Sequence, residues 1–313
     1  MTFDPLAGEA GRQARRTLLL GTLFALIGAW LYGANIPAAR AASQAGLPGA
    51  ELIFYRSLIM VPGLGTIALA LGHRLSLGPA DRGPVLRLSI AAGLTATFYL
   101  SALDHLSVPL TVVIFYTFPL MVMLLSNRIE GRPLSRQQIL VFSVAFAGLV
   151  IAVGPSADQL TVKGVLFALV AAMACAAMFL IAGHVQGSTV RTLFWIQVVV
   201  APISLAFLLV NGGPAPLDAF SKAPFAIGIA MAAYAVAFVF QLMASRRISA
   251  SRTSLLFLFE PVTAIIFAAW FIGETLSPVQ LGGVAMILAA LAGEILLDSG
   301  RKPAPVTSAG EAG

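Results

Sequence analysis

The chain holds 313 residues, 59% of them hydrophobic and only 10% charged, where a soluble domain carries about 25% charged residues. A water-soluble core of this size would lack the polar surface to cover it, so the composition excludes an ordinary globular domain and points to a bilayer. The net charge of +6 arises from Lys and Arg set in short clusters between apolar runs; that is how loops anchor at a membrane, and nucleic acid is not expected as a partner.

Ten apolar stretches follow in chain order, at 17–36, 50–71, 88–103, 108–127 and 138–153, then 162–182, 193–210, 225–244, 254–271 and 278–297. Most have the roughly 18 to 20 residues that cross ~30 Å of hydrocarbon as a helix. The third and fifth are shorter, and their assignment leans on the internal repeat described below. The first is long and shows no small-residue cleavage site, so it is expected to stay in the mature protein. The segment after Asp298, with Pro303, Pro305 and Ser308, reads as a disordered tail.

Orientation follows from the basic residues. With the N-terminus inside, fifteen of the 19 Lys and Arg residues fall in inner segments, three (Arg40, Lys163 and Lys222) fall in outer loops, and Arg56 lies within a span. So strong a bias predicts that both termini face the cytoplasm.

The second half repeats the first. Setting residue n over n+142 aligns Leu106-Ser107 with Ile248-Ser249, Thr111 with Thr253, Phe115 with Phe257 and Pro119 with Pro261; an offset of 143 places Leu23-Phe24-Ala25-Leu26 on Leu166-Phe167-Ala168-Leu169. Five is odd, so a copied five-helix unit enters the bilayer from the opposite side. The expected fold class is therefore an all-α integral membrane protein of ten transmembrane helices arranged as two inverted five-helix repeats. Its expected organisation is a cytoplasmic N-terminal tail at 1–16, a first repeat at 17–153, an outer linker at 154–161, a second repeat at 162–297 and a cytoplasmic tail at 298–313.

Matched features give the repeat physical content. Ala25, Ala29 and Gly33 recur at every fourth position of the first span, as Ala168, Ala172 and Ala176 do in the sixth; small residues at that spacing let helix backbones approach closely in lipid. The first and sixth helices are accordingly expected to pack together at a pseudo-two-fold axis. Ala285, Ala289 and Gly293 form a similar stripe on the last span, suited either to internal packing or to a homodimer contact, so the expected state is a monomer or a homodimer. Pro119 and Pro261 sit inside the fourth and ninth spans, where each releases the carbonyl four residues earlier, at Phe115 and Phe257. They read either as paired hinges lining a cavity or as static kinks.

The stretch Trp30 to Ile36, W-L-Y-G-A-N-I, resembles the W-G-x-N-F signature that ends the first helix of EamA-type transporters in the drug/metabolite transporter superfamily. Arg56 in the second span, the proline-bearing fourth and ninth spans, and G-E-T-L-S at 273–277 fit the same pattern, and the resemblance runs from Thr17 to about Leu297. The chain departs from it where Leu31 and Tyr32 separate Trp30 from Gly33, and where Glu130 stands two positions before the place that Glu274 marks in the second half. The resemblance implies a ten-helix inverted-repeat carrier of small metabolites, often amino acids or related compounds moved outward by alternating access, in a bacterial cytoplasmic (inner) membrane.

Polar groups within spans are the site candidates, because each is costly in lipid without a partner or water. Glu260 lies ~10 Å from the inner boundary at ~1.5 Å per residue. It reads as a proton-coupling group or a binder of a cationic substrate group, or else as a structural partner of Arg56 or of a backbone group beside Pro261. Arg56 lies ~9 Å from the outer boundary by the same count, leaving ~11 Å of depth between the two charges. It suits a substrate carboxylate, or it snorkels outward with Glu51 as its partner. Tyr99, Tyr116, Gln241, Asn35, Tyr32, Trp30, Tyr234 and Gln197 complete the candidates for the substrate pathway, with Tyr99 over Gln241 in the repeat. Interfacial belting is the competing reading for Trp30, Trp195 and Trp270, and capping at the outer mouth for Asn35.

The remaining chemistry is sparse. Cys175 is the sole cysteine and falls in an apolar run, and His73, His105 and His184 fall in or beside loops, so no metal site, catalytic group or cofactor is expected. No P-loop or nucleophile-elbow pattern occurs. The expected function is secondary transport of a small-molecule substrate through the lipid bilayer, with protons as a candidate coupling partner. A non-transporting receptor or scaffold and a membrane-embedded lipid-modifying enzyme are the alternatives.

Overall fold

The computed structural model describes residues 5–47, 49–103, 105–129, 135–154, 160–210, 219–272 and 276–299. Glu130, Glu274, most of the linker at 154–161 and the tail beyond Ser299 lie outside the described residues. Among those described, all regular structure is helical: α1 (Pro5–Gln44), α2 (Gly49–Ala70), α3 (Pro79–Ala102), α4 (Val108–Phe115), α5 (Phe118–Ile129) and α6 (Arg136–Val153), then α7 (Val162–Ala182), α8 (Thr189–Val210), α9 (Ala219–Lys222), α10 (Pro224–Ser245), α11 (Ala250–Leu256), α12 (Phe259–Ile272) and α13 (Pro278–Ser299). Ten of the spans they form are long and apolar enough to cross a membrane. The helix expected from residue 17 begins at Pro5, so most of the segment read as a tail is helical. The third helix begins at Pro79, nine residues before its apolar stretch, because its first turns carry Asp81, Arg82 and Arg87, which hydropathy discards.

The repeat is written in local chemistry as well as in hydropathy. Ser107 caps α4 by accepting from the Leu110 N–H, and its repeat equivalent Ser249 caps α11 by accepting from the Arg252 N–H, each satisfying a donor that a helix start leaves open. Both short helices then stop before a proline. The Thr117 N–H donates to Ile114 O at 3.2 Å and the Leu258 N–H to Leu255 O at 3.0 Å, tightening the chain into 3₁₀ geometry at places one residue apart in the register of the repeat. Helices α5 and α12 start afresh with Pro119 and Pro261 in their first turns, where a missing N–H costs no helix bond. The carbonyl of Phe257 is taken by the Glu260 N–H at 3.0 Å.

Contacts between helices exchange partners between the halves. Helix α1 packs along α10 and α12, and α7, its counterpart, packs along α3 and on α4 and α5. The expected mutual packing of these two helices is therefore corrected: α1 and α7 make no broad contact with each other, since each spends its small-residue stripe on the opposite half. Ala25, Ala29, Ala168 and Ala172 are fully buried and Ala176 nearly so. Helix α2 pairs with α8, and α6 with α13, so these equivalents meet across the pseudo-axis. The largest departure from symmetry involves α8. Helix α8 lies broadly against α3, whereas α2, the counterpart of α8, meets α10 only sparsely.

In lipid, association depends on close packing rather than on hiding apolar surface. A β-carbon on Gly33 would collide with Thr263 Oγ1 and come within 2.8 Å of both Ala264 N and Glu260 O. The α6–α13 pair is closed in the same way: a β-carbon on Gly148 would stand 2.7 Å from Gly283 O. Ala285 and Ala289 are exposed and Gly293 has nothing within 4 Å of a β-carbon, so the stripe on α13 points away from the bundle and the internal-packing reading falls.

Adding one methyl at Gly33 should lower stability by about 1–3 kcal/mol, because the obstructing atoms include backbone that cannot move aside. Gly63 on α2 has open space around a β-carbon. The thermal midpoint in detergent should accordingly fall for Gly33→Ala and hold or rise slightly for Gly63→Ala.

Candidate functional site

A cavity of about 390 Å³ runs from the end carrying the α1–α2 and α3–α4 connections to the middle of the bundle. Arg40, Ser43, Gln44, Gly49 and Leu103 stand at its mouth, and its deep wall is formed by Phe115, Phe118, Phe179, Phe257 and Gln241, with Glu260 among them. The aromatic wall is held by its own packing: Phe118 stacks on Phe179 at 5.2 Å between ring centroids, and Phe179 meets Phe257 edge-on at 5.1 Å.

Much of the lining obeys the repeat. Ala92 and Tyr234, Ala96 and Phe238, Tyr99 and Gln241, Phe115 and Phe257, and Phe118 and Glu260 are each 142 residues apart, and all ten line the cavity. At the offset of 143, Tyr32 answers to Cys175, Asn35 to Met178 and Ile36 to Phe179, and these six line it too. The cavity thus sits on the pseudo-axis, with equivalent positions occupied by different chemistry.

Its two deep charges, Arg56 and Glu260, are the unusual groups. Arg56 is only 4% exposed, and its guanidinium lies 3.3 Å from the centroid of the Tyr234 ring, so it turns to the second half instead of snorkelling outward toward Glu51. Such a stack is worth about 2 kcal/mol when desolvated. It leaves the guanidinium edge unserved: Arg56 Nε and Nη2 are both buried without a hydrogen-bond acceptor among the described residues. Tyr234 meets Tyr32 edge-on at 5.7 Å, and the Tyr32 hydroxyl donates to Gln241 Oε1 at 2.9 Å. This chain of rings leads from Arg56 toward Glu260, since Tyr32 lies within electrostatic reach of both charges. Glu260 is half-buried on the first turn of α12. No cation among the described residues lies within 4.0 Å of its carboxyl, and the Tyr116 hydroxyl approaches it without reaching hydrogen-bond geometry.

Of the residues singled out in the sequence, Glu260, Arg56, Tyr99, Gln241, Asn35, Tyr32 and Tyr234 come together on this cavity. Trp30, Tyr116 and Gln197 do not. Trp30 is two residues from Tyr32, about 200° round the helix, and its 42% exposed indole packs edge-on against Phe267 on the outer face. Tyr116 is turned into the core between Phe115 and Phe118, whose rings lie 5.4 and 5.7 Å away. Gln197 lies on α8, which α2 covers, and its Oε1 accepts from Ser57 Oγ at 2.9 Å. Cys175, Met178, Phe179, Phe238 and Phe118 line the cavity without having been singled out; the repeat offsets carried to Tyr32, Asn35, Ile36, Ala96 and Glu260 are the signal that finds them.

At the opposite end, contacts tie the two halves together. Trp195 Nε1 donates to Leu75 O at 2.7 Å, and Arg191 Nη2 bonds Asp81 Oδ2 at 2.9 Å, tying α8 to the α2–α3 connection and the start of α3. Arg246 donates to Gly187 O at 2.7 Å beside them; burial first, and then Arg191 and Arg247, hold its guanidinium below the usual arginine range.

A cavity that reaches mid-depth from one face, between two inverted halves of an apolar ten-helix bundle, defines a membrane transport protein. Residues 19–154 and 162–294 both match the EamA-like transporter family, and the chain belongs to that family of membrane transporters of small metabolites. It is 27% identical over 280 residues to the threonine/homoserine exporter RhtA of Escherichia coli (strain K12), covering 85% of this chain and 92% of that one. It is 23% identical to the uncharacterized transporter YcbK of Bacillus subtilis (strain 168), covering 88% and 94%. A solved crystal structure of 19% sequence identity shares the fold with a TM-score of 0.75 over 88% of this chain and 96% of that chain.

Proposed function

We propose that the protein is a secondary transporter in the bacterial cytoplasmic membrane that moves small amino acids or close relatives of them outward by alternating access. Its repeats at 17–153 and 162–297 are the moving units, and the helix breaks before Pro119 and Pro261 are the hinges. One observation carries the reading: the cavity reaches the centre from one end while contacts between the halves close the other. The positive-inside bias makes the mouth end the outer one and puts both termini in the cytoplasm. Similarity to threonine/homoserine exporters supports the substrate class.

The asymmetry between helices supplies the second state. If the halves exchange conformations, α2 closes on α10 as α8 now closes on α3, and α8 leaves α3. The cavity then opens inward. The bonds broken in that step are Trp195 to Leu75 and Arg191 to Asp81, and the latter pair is partly exposed, at 18% and 27%. A pair of that kind is worth about 0–1 kcal/mol, weak enough for a carrier to break on every cycle. Asp81→Ala should therefore favour the inward-open state by up to about fivefold, since 1.4 kcal/mol corresponds to tenfold. Spin labels on the α2–α3 and α7–α8 connections should show a larger long-distance population in the variant; an unchanged distribution removes this pair from the gate.

Glu260 is the coupling group of this reading, faced by Tyr32, Tyr99, Tyr116 and Cys175, with Arg56 on the cavity's α2 wall. Replacing it with Gln should leave folding intact and abolish the pH dependence of flux in proteoliposomes. Flux through Glu260→Gln that follows pH as the wild type does would take proton coupling away from this residue.

A further inference from the structure

The geometry points to a two-point site for a zwitterion: the cavity holds an α-amino acid with its carboxylate on the Arg56 guanidinium and its ammonium turned toward the Glu260 end, the side chain lying against the aromatic wall. This rests on the reading of the cavity as the substrate path and specifies how that path selects its cargo.

One edge of the Arg56 guanidinium is empty. Nε–H and one N–H of Nη2 project side by side from the guanidinium, the fork that takes both oxygens of a carboxylate. Those two atoms are the ones that lack an acceptor, while the flat face is used up by Tyr234 at 3.3 Å. A ring on the face leaves in-plane bonding as the remaining way to satisfy the group. Both atoms are buried, so the carboxylate is met through a side-chain adjustment of the kind common on binding. Arg40 also lines the cavity, but it is exposed at the mouth, where water already serves it and an anion gains little.

The opposite charge is on the same cavity and equally unpaired. Glu260 forms no ion pair with Arg56, and no other cation among the described residues neutralises it. Its repeat equivalent is Phe118, and Arg56 has Val198 at the offset of 142, so neither charge is duplicated by the inversion. Below its mouth the cavity thus offers one cation and one anion, separated by rings. A simple anion or a simple cation would satisfy one and leave the other exposed in a low-dielectric chamber, whereas a zwitterion answers both.

The test uses the full-length protein with L-threonine and two analogues that each lack one charge: L-threoninamide, without the carboxylate, and 2,3-dihydroxybutyrate, without the amine. Binding is measured by calorimetry on the purified protein, and counterflow of labelled L-threonine in proteoliposomes is measured in parallel. Both analogues should bind and compete at least tenfold more weakly than threonine. Arg56→Gln should erase the preference for threonine over its amide, and Glu260→Gln the preference over the hydroxy acid. Analogues as effective as threonine on the wild-type protein overturn the two-point site whatever the variants do, so a variant that fails to fold does not shield it. Arg56→Lys, which keeps the charge but lacks the fork, should bind threonine more weakly than wild type; full affinity overturns the bidentate geometry. Selective binding without counterflow sinks the transport reading and leaves the site standing, counterflow without selectivity does the reverse, and neither binding nor counterflow overturns both.

Discussion

Helices in hydrocarbon gain nothing from hiding apolar surface, because lipid is as apolar as they are, so this bundle depends on backbones that come close enough to touch. One such close approach is at Gly33, where α1 lies on α12. Thr263 fastens it: its hydroxyl donates to Glu260 O at 2.8 Å and stands 3.4 Å from Ala29 O. The residue whose backbone takes part in this contact is the one whose carboxyl enters the cavity. Packing and function share an atom's width here, and the position of the Glu260 charge is set by how near α1 can come.

The helix breaks carry that arrangement further. A continuous ninth span would bury Glu260 in the middle of a helix, with its backbone N–H bonded four residues back. The break lets α12 start at Phe259, so that Glu260 falls in its first turn, where the helix dipole favours a negative charge. At the equivalent break in the first half the same position holds Phe118, which has no charge to stabilise and stacks on Phe179 instead. One backbone device thus serves a charge on one side and an aromatic wall on the other.

How much of this could be read from sequence depends on what signal each feature leaves. The spans were legible because lipid imposes a long apolar run, and the inversion because five is odd. The doubled Ser107/Ser249 and Pro119/Pro261 fixed where the fourth and ninth spans break, although their apolar runs continue without interruption. The start of α3 was not legible, because Arg82 and Arg87 lie in helix beyond the apolar stretch, and hydropathy measures immersion and not helicity. Within the candidate site, charge and polarity picked out Arg56, Glu260, Gln241 and Tyr32, Tyr99 and Tyr234, which the fold brings together on one cavity. They misled at Gln197, which is polar, buried and bonded to Ser57 outside the cavity, because cost in lipid shows that a group has a partner without saying what the partner is. The swapped packing of α1 and α7 left no mark: a stripe of small residues shows that a helix is approached closely and says nothing of which helix approaches.

The scaffold is close to symmetric and the chemistry upon it is not, and both properties are needed by a carrier. On the proposed transport reading, equivalent backbones would give two conformations that differ by which half adopts which shape; the one described has α8 resting on α3 while α2 stands off α10. Had the lining been symmetric too, Phe118 and Glu260 would be two carboxylates or two rings, and Ala92 and Tyr234 two tyrosines. A duplicated carboxylate would add like-charge repulsion in a chamber of low dielectric, and a second tyrosine at Ala92 would occupy space that a ligand needs. Deep in the cavity there is instead one cation resting on one ring, one anion apart from it, and small or apolar residues at several of the mirrored positions. On the proposed transport reading, the inversion supplies the motion and the single copy of each deep charge supplies one binding orientation.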